Sequence, residues 1–189
     1  ITGLLLALAA LEGDSAVLLK TPLESRPYVD MTVKVMADFG VEIRETEFGW
    51  LIHGGQSFRK MNYTVEGDWS QAAFFLAAGA LGGNVTVTGL DSNSAQGDKA
   101  ILDVLKAFGA ETALNGNSAE CRKSELKGTV VNASDIPDLV PIIAVLAAYA
   151  KGKTVISGAE RLRYKESDRI ESVVSNLRKM GADVEETAD

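Results

Sequence analysis

The densest group of side chains that could do chemistry is the run Lys-Glu-Ser-Asp-Arg at residues 165–169. Lys165 and Arg169 are four residues apart, so they share one face if a helix begins here. A lysine offers a point charge and an arginine a planar fork to a carboxylate or phosphate. Glu166 beside them could act as an acid or a base. The same spacing also fits a salt-bridged helix N-terminus in which Asp168 interacts with the helix dipole.

This run belongs to a basic stretch of an acidic chain. Residues 151–169 contain six lysines and arginines against three acids, a local charge of +3, whereas the whole chain carries −7. A local positive field of this kind suits a small anionic ligand better than a polyanion. A solvated loop with ion pairs is the alternative interpretation.

Two more groups of polar side chains stand just before predicted helices. Asp138 follows Pro137, with Asp135 as the candidate N-cap. Asp138 is then either an ordinary acid of the first helical turn or a carboxylate that faces a cleft and accepts a hydroxyl proton. The stretch 23–30 brings a serine, an arginine and a tyrosine to a helix with Pro27 in its first turn. It could hold a phosphate or polyol, or be a capped helix entry only.

Composition excludes several classes of protein and site. With one cysteine, Cys121, and one histidine, His53, the chain has no internal disulfide framework, cysteine-rich metal site or multi-histidine centre. We expect Cys121 to be structural or at the surface, and His53 to be structural in a turn between strands. The longest apolar runs, 1–11 and 139–150, are too short to span a bilayer. The net charge argues against nucleic-acid binding through bulk charge, and 46% hydrophobic with 24% charged residues indicates a globular chain.

A repeat of about 70 residues supplies the elements that position these groups. Each copy contains an apolar helix, a β-branched strand, a polar loop, an amphipathic helix and a second strand. The apolar helices are hydrophobic all round, so we expect them to be buried. Glycines that accept a left-handed conformation should end the amphipathic helices: Gly40, Gly109 and Gly181. The predicted strands are 16–19, 41–44, 63–65, 85–88, 111–114, 154–156 and 183–185, and the aspartates at matching positions are Asp30, Asp98 and Asp168.

The predicted architecture is therefore α/β, with layers of helices and sheet built by repetition. Asp68 and Gln71 have capping-box spacing at the start of the second apolar helix. A polar break just before this helix places a domain boundary at about Glu66. Helix N-termini that recur along one edge would attract anions.

Five strings resemble the 5-enolpyruvylshikimate-3-phosphate synthase family, in that family's order and at about its spacing. They are Leu-Glu-Ser-Arg-Pro-Tyr-Val-Asp-Met-Thr at 23–32, Val-Glu-Gly-Asp at 65–68, Gln-Gly-Asp at 96–98, Ile-Pro-Asp at 136–138 and Leu-Arg-Tyr-Lys-Glu-Ser-Asp-Arg at 162–169. The resemblance implies a two-lobed, inside-out α/β barrel of repeated helix-strand units, incomplete in this chain. Residues 1–65 would be the last repeat unit of one lobe, and residues 66–189 two repeat units of the other.

The resemblance also implies an activity. The family transfers the enolpyruvyl group of phosphoenolpyruvate to the 5-hydroxyl of shikimate-3-phosphate and releases phosphate, a step towards chorismate and the aromatic amino acids. It implies a cytoplasmic monomer that binds these two small anions, without a metal or cofactor and with no nucleic-acid or membrane partner.

Residue roles follow from the same motifs. Asp138 matches the carboxylate that contacts the shikimate hydroxyls and accepts a proton, and Glu166 matches the acid that transfers a proton to the phosphoenolpyruvate methylene. Lys165 matches a lysine that binds shikimate-3-phosphate near the reacting centre. Arg169, with Glu166, matches the phosphoenolpyruvate site, where the arginine holds the carboxylate. The remaining matches, for shikimate-3-phosphate, are Ser25, Tyr28 and Arg161, the last standing where some members have an asparagine.

Two alternatives stay open. A related enolpyruvyl transferase that acts on a UDP-sugar shares the repeat and the phosphoenolpyruvate chemistry. An isolated lobe could also persist as a non-catalytic module. Because the family's serine-serine-glutamine motif and several of its cationic ligands fall outside residues 1–189, we expect this stretch alone to be inactive or nearly so.

Overall fold

Helices and strands alternate along the chain in the computed structural model, which describes residues 1–189. Contacts divide the chain into two units, residues 1–65 and residues 66–189. No helix combines the length and the apolar character needed to cross a membrane.

The first unit is a three-stranded antiparallel sheet with two helices. Its elements are α1 (Thr2–Ala9), β1 (Ser15–Leu18), α2 (Arg26–Asp38), β2 (Ile43–Thr46) and β3 (Gly49–Ile52). The strand order is β1-β3-β2, so β3 lies in the centre and Trp50 faces Val17 on one side and Glu45 on the other. Trp50, Leu5 and Met36 are almost fully buried and form the centre of this core.

The second unit holds the remaining elements and a larger core. They are α3 (Trp69–Gly82), β4 (Val85–Thr88), α4 (Ile101–Ala107), β5 (Glu111–Asn115), β6 (Ser118–Arg122), β7 (Val130–Asn132), α5 (Val140–Tyr149), β8 (Val155–Ser157) and α6 (Arg169–Lys179). Strands β4, β6 and β5 form an antiparallel sheet in that order, and β7 pairs with β8 in parallel. Three 3-10 turns, Gly97–Ala100, Pro137–Leu139 and Glu160–Tyr164, precede α4, α5 and α6.

The end of each amphipathic helix agrees with the sequence. Gly40, Gly109 and Gly181 follow α2, α4 and α6 with φ angles of 85°, 88° and 89°. This left-handed conformation suits glycine because it has no Cβ. The repeat therefore marks where each of these helices stops.

The start of α3 also agrees with the sequence. The Asp68 carboxylate accepts hydrogen bonds from the backbone N–H groups of Ser70 at 2.8 Å and Gln71 at 3.2 Å. Gln96 supports the same turn, since its Oε1 accepts from the Trp69 N–H at 2.9 Å and its Nε2 donates to the Gly67 carbonyl at 3.0 Å. Asp68 is thus the N-cap, and α3 is fixed to the loop that leads into α4.

Two predicted strands are wrong, and two turns differ from expectation. Residues 63–65 and 183–185 are extended or irregular and pair with no strand. In the first two repeats the strand after the amphipathic helix pairs with the next strand in the chain, β2 with β3 and β5 with β6, and 183–185 has no such partner in the structure. An extended segment without a hydrogen-bonded neighbour is not a strand.

Two turns also differ from the prediction. His53 follows β3 but leads into an irregular segment rather than another strand. Asp135 is not an N-cap, because Ile136 is the residue that precedes the 3-10 turn.

The expectation that the apolar helices are wholly buried is wrong for α1 and α3. Leu4 and Leu6 of α1 are 55% and 46% exposed, and Phe74 and Phe75 of α3 are 46% and 61% exposed. Each of these helices therefore buries part of its surface in its own unit and leaves another part exposed. By contrast, α5 buries most of its apolar residues, and Tyr149 at its end is exposed.

Candidate active site

The 3-10 turn before α5 holds Asp138 in place. Its neighbours Pro137 and Leu139 are buried, and the turn runs directly into α5. The backbone at Asp138 is therefore anchored on both sides, while its side chain remains 35% exposed. This combination of a fixed backbone and a half-exposed carboxylate is what a ligand-binding acid needs.

The start of α6 positions the basic run. Leu162 is fully buried and fixes the 3-10 turn, and Asp168 caps α6 by accepting a hydrogen bond from the Glu171 N–H at 3.0 Å. Arg163 also donates to Asp168, at 2.8 Å. These hydrogen bonds, the one from Glu171 first, lower the pKa of the Asp168 carboxyl. Asp168 therefore shapes the loop, and Arg169 is the first residue of the helix.

Arg169 joins the two carboxylates that the sequence singled out. Its Nη1 donates to Asp138 Oδ1 at 2.7 Å, and its Nη2 donates to Glu166 Oε2 at 2.8 Å. We call Asp138, Glu166 and Arg169 the Arg169 bridge. Asp138 is 31 residues away from Arg169 in sequence, so packing of the second unit, and not local spacing, brings them together.

The surroundings of Glu166 favour its ionised form. A hydrogen bond from its own backbone N–H and then the hydrogen bond and charge of Arg169 lower the pKa of the Glu166 carboxyl, with a smaller contribution from Lys165. The Glu166 side chain is 77% exposed and so remains open to an incoming ligand. Hydrogen bonds to Glu166 and Asp138 raise the pKa of the Arg169 guanidinium, which is a cation at any physiological pH.

The other two predicted cations are Arg161 and Lys165, and both lie at the 3-10 turn that precedes α6. Arg161 lies half-buried in the 3-10 turn Glu160–Tyr164, and Lys165 ends that turn with an exposed side chain. Lys165 is close enough for its charge to contribute to the low pKa of Glu166. The structure thus brings Lys165, Glu166, Arg169 and Asp138 into one neighbourhood.

Ser25 and Tyr28 belong to the first unit, at the start of α2. Ser25 is the N-cap and has φ 53° and ψ 41°, the one residue other than glycine with a positive φ. The Tyr28 N–H donates to the Ser25 carbonyl at 3.2 Å. A left-handed serine is a strained conformation of the kind that clusters at ligand sites, and both side chains are half-buried.

Arg26, the guanidinium of this group, is occupied within the first unit. Its side chain donates to Asp30 at 3.2 Å and to Glu45, and these hydrogen bonds raise the pKa of the guanidinium. Arg26 therefore fastens α2 to β2. The idea that it belongs to a phosphate site beside Ser25 has no support from these contacts.

The sequence alone did not assign a role to Asp98 or Ser70. Asp98 is 2% exposed, and the Ser70 hydroxyl donates to its Oδ2. The available signal was the Gln-Gly-Asp string and the matching position of Asp98 in the repeat, but spacing does not reveal burial.

The structure adds nothing reactive at the remaining candidates. Cys121 is buried in β6, and burial raises the pKa of its thiol to about 11, so it stays protonated at neutral pH. His53 is exposed and its Nδ1 lies 3.2 Å from Asp14 Oδ2. No cluster of three or more histidine, cysteine, aspartate or glutamate side chains is arranged to hold a metal.

Comparisons with known proteins match the whole chain. The family model for EPSP synthase (3-phosphoshikimate 1-carboxyvinyltransferase) covers residues 1–189. A 3-phosphoshikimate 1-carboxyvinyltransferase of Clostridium novyi is 46% identical over 190 residues, covering 100% of this chain and 44% of the relative. The enzyme of the same name from Methanocorpusculum labreanum is 46% identical over 189 residues, covering 100% of this chain and 45% of the relative.

Solved structures give the same match. The EPSP synthase of Acinetobacter baumannii superposes with a TM-score of 0.78 at 28% identity, covering 99% of this chain and 44% of that chain. The enolpyruvyl transferase NikO of Streptomyces tendae, at 24% identity and a TM-score of 0.65 over 80% of this chain and 37% of that chain, shares the fold.

The mixed α/β architecture built by repetition is thus part of an enolpyruvyl transferase fold, and the chain spans under half the length of the relatives it matches. On the family model and the relatives together, the chain belongs to the EPSP synthase (3-phosphoshikimate 1-carboxyvinyltransferase) family.

Proposed function

We propose that the gene product containing this chain transfers the enolpyruvyl group of phosphoenolpyruvate to the 5-hydroxyl of shikimate-3-phosphate. The carbon–oxygen bond to the incoming hydroxyl forms, and the bond to the phosphate of phosphoenolpyruvate breaks, so that inorganic phosphate leaves. The observation that carries this proposal is the Arg169 bridge, which places two carboxylates and a guanidinium together in a chain of this family. The product belongs to the synthesis of chorismate and the aromatic amino acids.

In this proposal Asp138 is the proton acceptor. Its carboxylate is half-exposed on an anchored turn and is fixed by Arg169. It receives the proton of the attacking hydroxyl while the methylene carbon of phosphoenolpyruvate gains a proton from the other side, which gives a tetrahedral adduct. Phosphate then leaves as a proton of the new methyl group returns to the acid that donated it, and this loss restores the carbon–carbon double bond of the enolpyruvyl group. Such a reaction needs a base and an acid at separate positions, and cations for the negative groups of both substrates.

Glu166 is the proton donor in this proposal, and its present state sets a condition on that role. The pKa of the Glu166 carboxyl is lowered by its backbone hydrogen bond and by Arg169, so in the free protein it is a carboxylate. When the carboxylate of phosphoenolpyruvate takes the Arg169 guanidinium, Glu166 loses that hydrogen bond and its affinity for a proton rises. Substrate binding therefore prepares the acid.

The remaining residues bind. Arg169 holds the phosphoenolpyruvate carboxylate through its planar fork, and Lys165 and Arg161 supply positive charge for shikimate-3-phosphate. Ser25 and Tyr28 bind the phosphate of shikimate-3-phosphate. The left-handed backbone of Ser25 supports a ligand role for that residue.

We further propose that the two units are parts of two lobes. Residues 1–65 are the last repeat unit of one lobe, and residues 66–189 are two repeat units of the other. The division of contacts at Val65 and Glu66 supports this assignment, as does the coverage of under half of each relative. The protein is a cytoplasmic monomer in this proposal, and residues 1–189 alone do not turn over.

Two substitutions in the gene product test the assignment. We expect Asp138→Asn to lower kcat about 100-fold to 10,000-fold, because a general base is removed while the shape is kept. We expect Arg169→Lys to act mainly on the KM for phosphoenolpyruvate, by about 10-fold to 100-fold, because the bidentate contact is lost. Release of phosphate from phosphoenolpyruvate in the presence of shikimate-3-phosphate is the measurement.

The matched controls are Asp103→Asn and Arg178→Lys. Asp103 is an exposed acid of α4 paired with Lys106, and Arg178 lies on α6 and donates to the Val184 carbonyl. Both controls should retain the rate of the unsubstituted enzyme. A kcat unchanged in Asp138→Asn rejects the proposed base.

The alternative acceptor and the non-catalytic role are tested by binding. Shikimate-3-phosphate should raise the temperature of unfolding of the gene product, and a UDP-sugar should not. Protection by the UDP-sugar alone would favour the related transferase. No heat on calorimetric titration with shikimate-3-phosphate would favour a module without this activity.

A further inference from the structure

Asp98 is the one aspartate of the chain that is almost fully buried. It lies in the 3-10 turn Gly97–Ala100, and its Oδ2 contacts the Ser70 hydroxyl at the first turn of α3. Its other oxygen, Oδ1, is buried and has no hydrogen-bond partner. Neither oxygen forms an ion pair with a lysine or arginine.

The charged groups around Asp98 make an ionised carboxylate unfavourable there. Asp138 and Asp68 both lie close enough for their negative charges to act on it. Lys99, the next residue in the same 3-10 turn, does not compensate a charge there, since its ammonium donates to the Ser92 carbonyl. A charged oxygen without a partner in this position would combine desolvation with repulsion.

A proton on Asp98 removes both costs. The protonated carboxyl can donate from Oδ2 to Ser70 Oγ across the short contact. Oδ1 is then a neutral carbonyl oxygen, whose burial without a partner is far less costly than that of a charged oxygen. Burial first, and then the negative charges of Asp138 and Asp68, raise the pKa of the Asp98 carboxyl against the opposing effect of the hydrogen bond from Ser70.

We propose that Asp98 is a neutral acid in the folded chain at pH values where the exposed aspartates are already ionised, held by its hydrogen bond with Ser70 and coupled to the negative charge of Asp138. This inference rests on the proposed function, in which Asp138 is the base, because a negative charge on Asp98 would repel the carboxylate of Asp138. Its physical content concerns the free protein alone.

The test is a titration of Asp98 in the 189-residue chain labelled with ¹³C at aspartate carboxyl carbons. We expect the Asp98 midpoint above the ordinary aspartate range. Asp138→Asn and Asp68→Asn should each move it down, since each removes a repelling charge, and asparagine still caps α3. Ser70→Ala should move it up, since it removes the hydrogen bond that favours the charged form. The control Asp103→Asn should leave it in place.

A second measurement uses stability. The folded state binds the Asp98 proton more tightly than the unfolded state, so the free energy of unfolding should fall as pH rises from the ordinary aspartate pKa through the folded value. Urea unfolding from pH 4 to pH 8 should show this fall in the unsubstituted chain and a smaller fall in Asp98→Asn. Parallel pH profiles for the two proteins, or an Asp98 midpoint at or below the ordinary range, overturn the proposal.

The outcomes separate this inference from the proposed function. Neither measurement contains substrate, so an inactive gene product does not alter them, and an ordinary Asp98 titration leaves the transferase assignment standing. If Asp98→Asn does not fold, the shifts caused by Asp138→Asn and Ser70→Ala still decide the question on the native aspartate. Absence of both shifts overturns the proposed coupling.

Discussion

At the scale of single residues, Arg169 links the two carboxylates of the candidate site. It is 31% exposed and contacts two carboxylates from different segments of the second unit. One guanidinium therefore contacts Asp138 and Glu166 at once. A ligand carboxylate that replaces either contact changes the proton affinity of the acid it displaces.

Arg169→Gln tests this coupling directly. We expect the pKa of Glu166 to rise towards its ordinary value, because the hydrogen bond and positive charge of Arg169 are lost. The rise should be incomplete, since the backbone hydrogen bond of Glu166 is the larger cause and remains. Titration of ¹³C-labelled glutamate carboxyls measures it, with Arg178→Gln on the same helix as control. An unchanged Glu166 midpoint would show that the bridge does not hold in solution.

The elements of the first unit depend on one close approach between strands. Gly49 opens β3 opposite Leu18, with φ 141°. A Cβ built on it would lie 1.9 Å from the Val17 carbonyl oxygen, a backbone atom that cannot move without breaking the pairing. Gly55, by contrast, has φ 69° and open space around it. Gly49 therefore combines steric exclusion with conformational strain, whereas Gly55 has conformational strain alone.

Gly49→Ala should therefore destabilise the first unit far more than Gly55→Ala. We expect a loss of roughly 4 kcal/mol or more for Gly49→Ala, because the clash disrupts the central strand, against about 1 kcal/mol for Gly55→Ala from left-handed strain alone. Trp50 is buried in β3 and reports on this unit. Its fluorescence during urea unfolding, in a Trp69→Phe background, is the measurement. Equal losses for both variants would contradict the clash.

On the scale of the whole molecule, each unit leaves part of its apolar helix surface open to solvent. Phe74 and Phe75 of α3 are exposed by 46% and 61%, and α1 exposes Leu4 and Leu6. Adjacent exposed aromatic residues form a surface that favours association or ligand adsorption. The core of the second unit, centred on Trp69, Phe108 and Leu76, is by contrast closed.

Replacing both Phe74 and Phe75 by serine should lower the binding of a hydrophobic fluorescent dye to the 189-residue chain. The free energy of unfolding should change little, by about 1 kcal/mol, because much of both rings is already in water. Phe108→Ser, at a fully buried position, is the contrasting variant and should unfold the second unit. Dye binding that persists undiminished after the double substitution would show that another surface takes up the dye.

Local signals in the sequence determined the repeat, the six helices, the Asp68 cap and the family motifs, whereas β3, β6 and β7 were not predicted. Helical periodicity, the Asp68 cap and the glycines after α2, α4 and α6 each act within a few residues, so they can be read from the chain. The resemblance of residues 162–169 to the family motif identified the basic run, and the structure brings its acid and arginine to Asp138.

Tertiary structure alone decided the contacts and the burial. The pairing of Arg169 with Asp138 joins residues 31 positions apart, and the burial of Asp98 depends on α3 lying against its turn. Segments 63–65 and 183–185 have a composition typical of strands but no neighbouring strand to pair with. Helices α1 and α3 are apolar on faces that no other element of their unit covers. Such outcomes depend on what packs against a segment, which the segment's own residues do not specify.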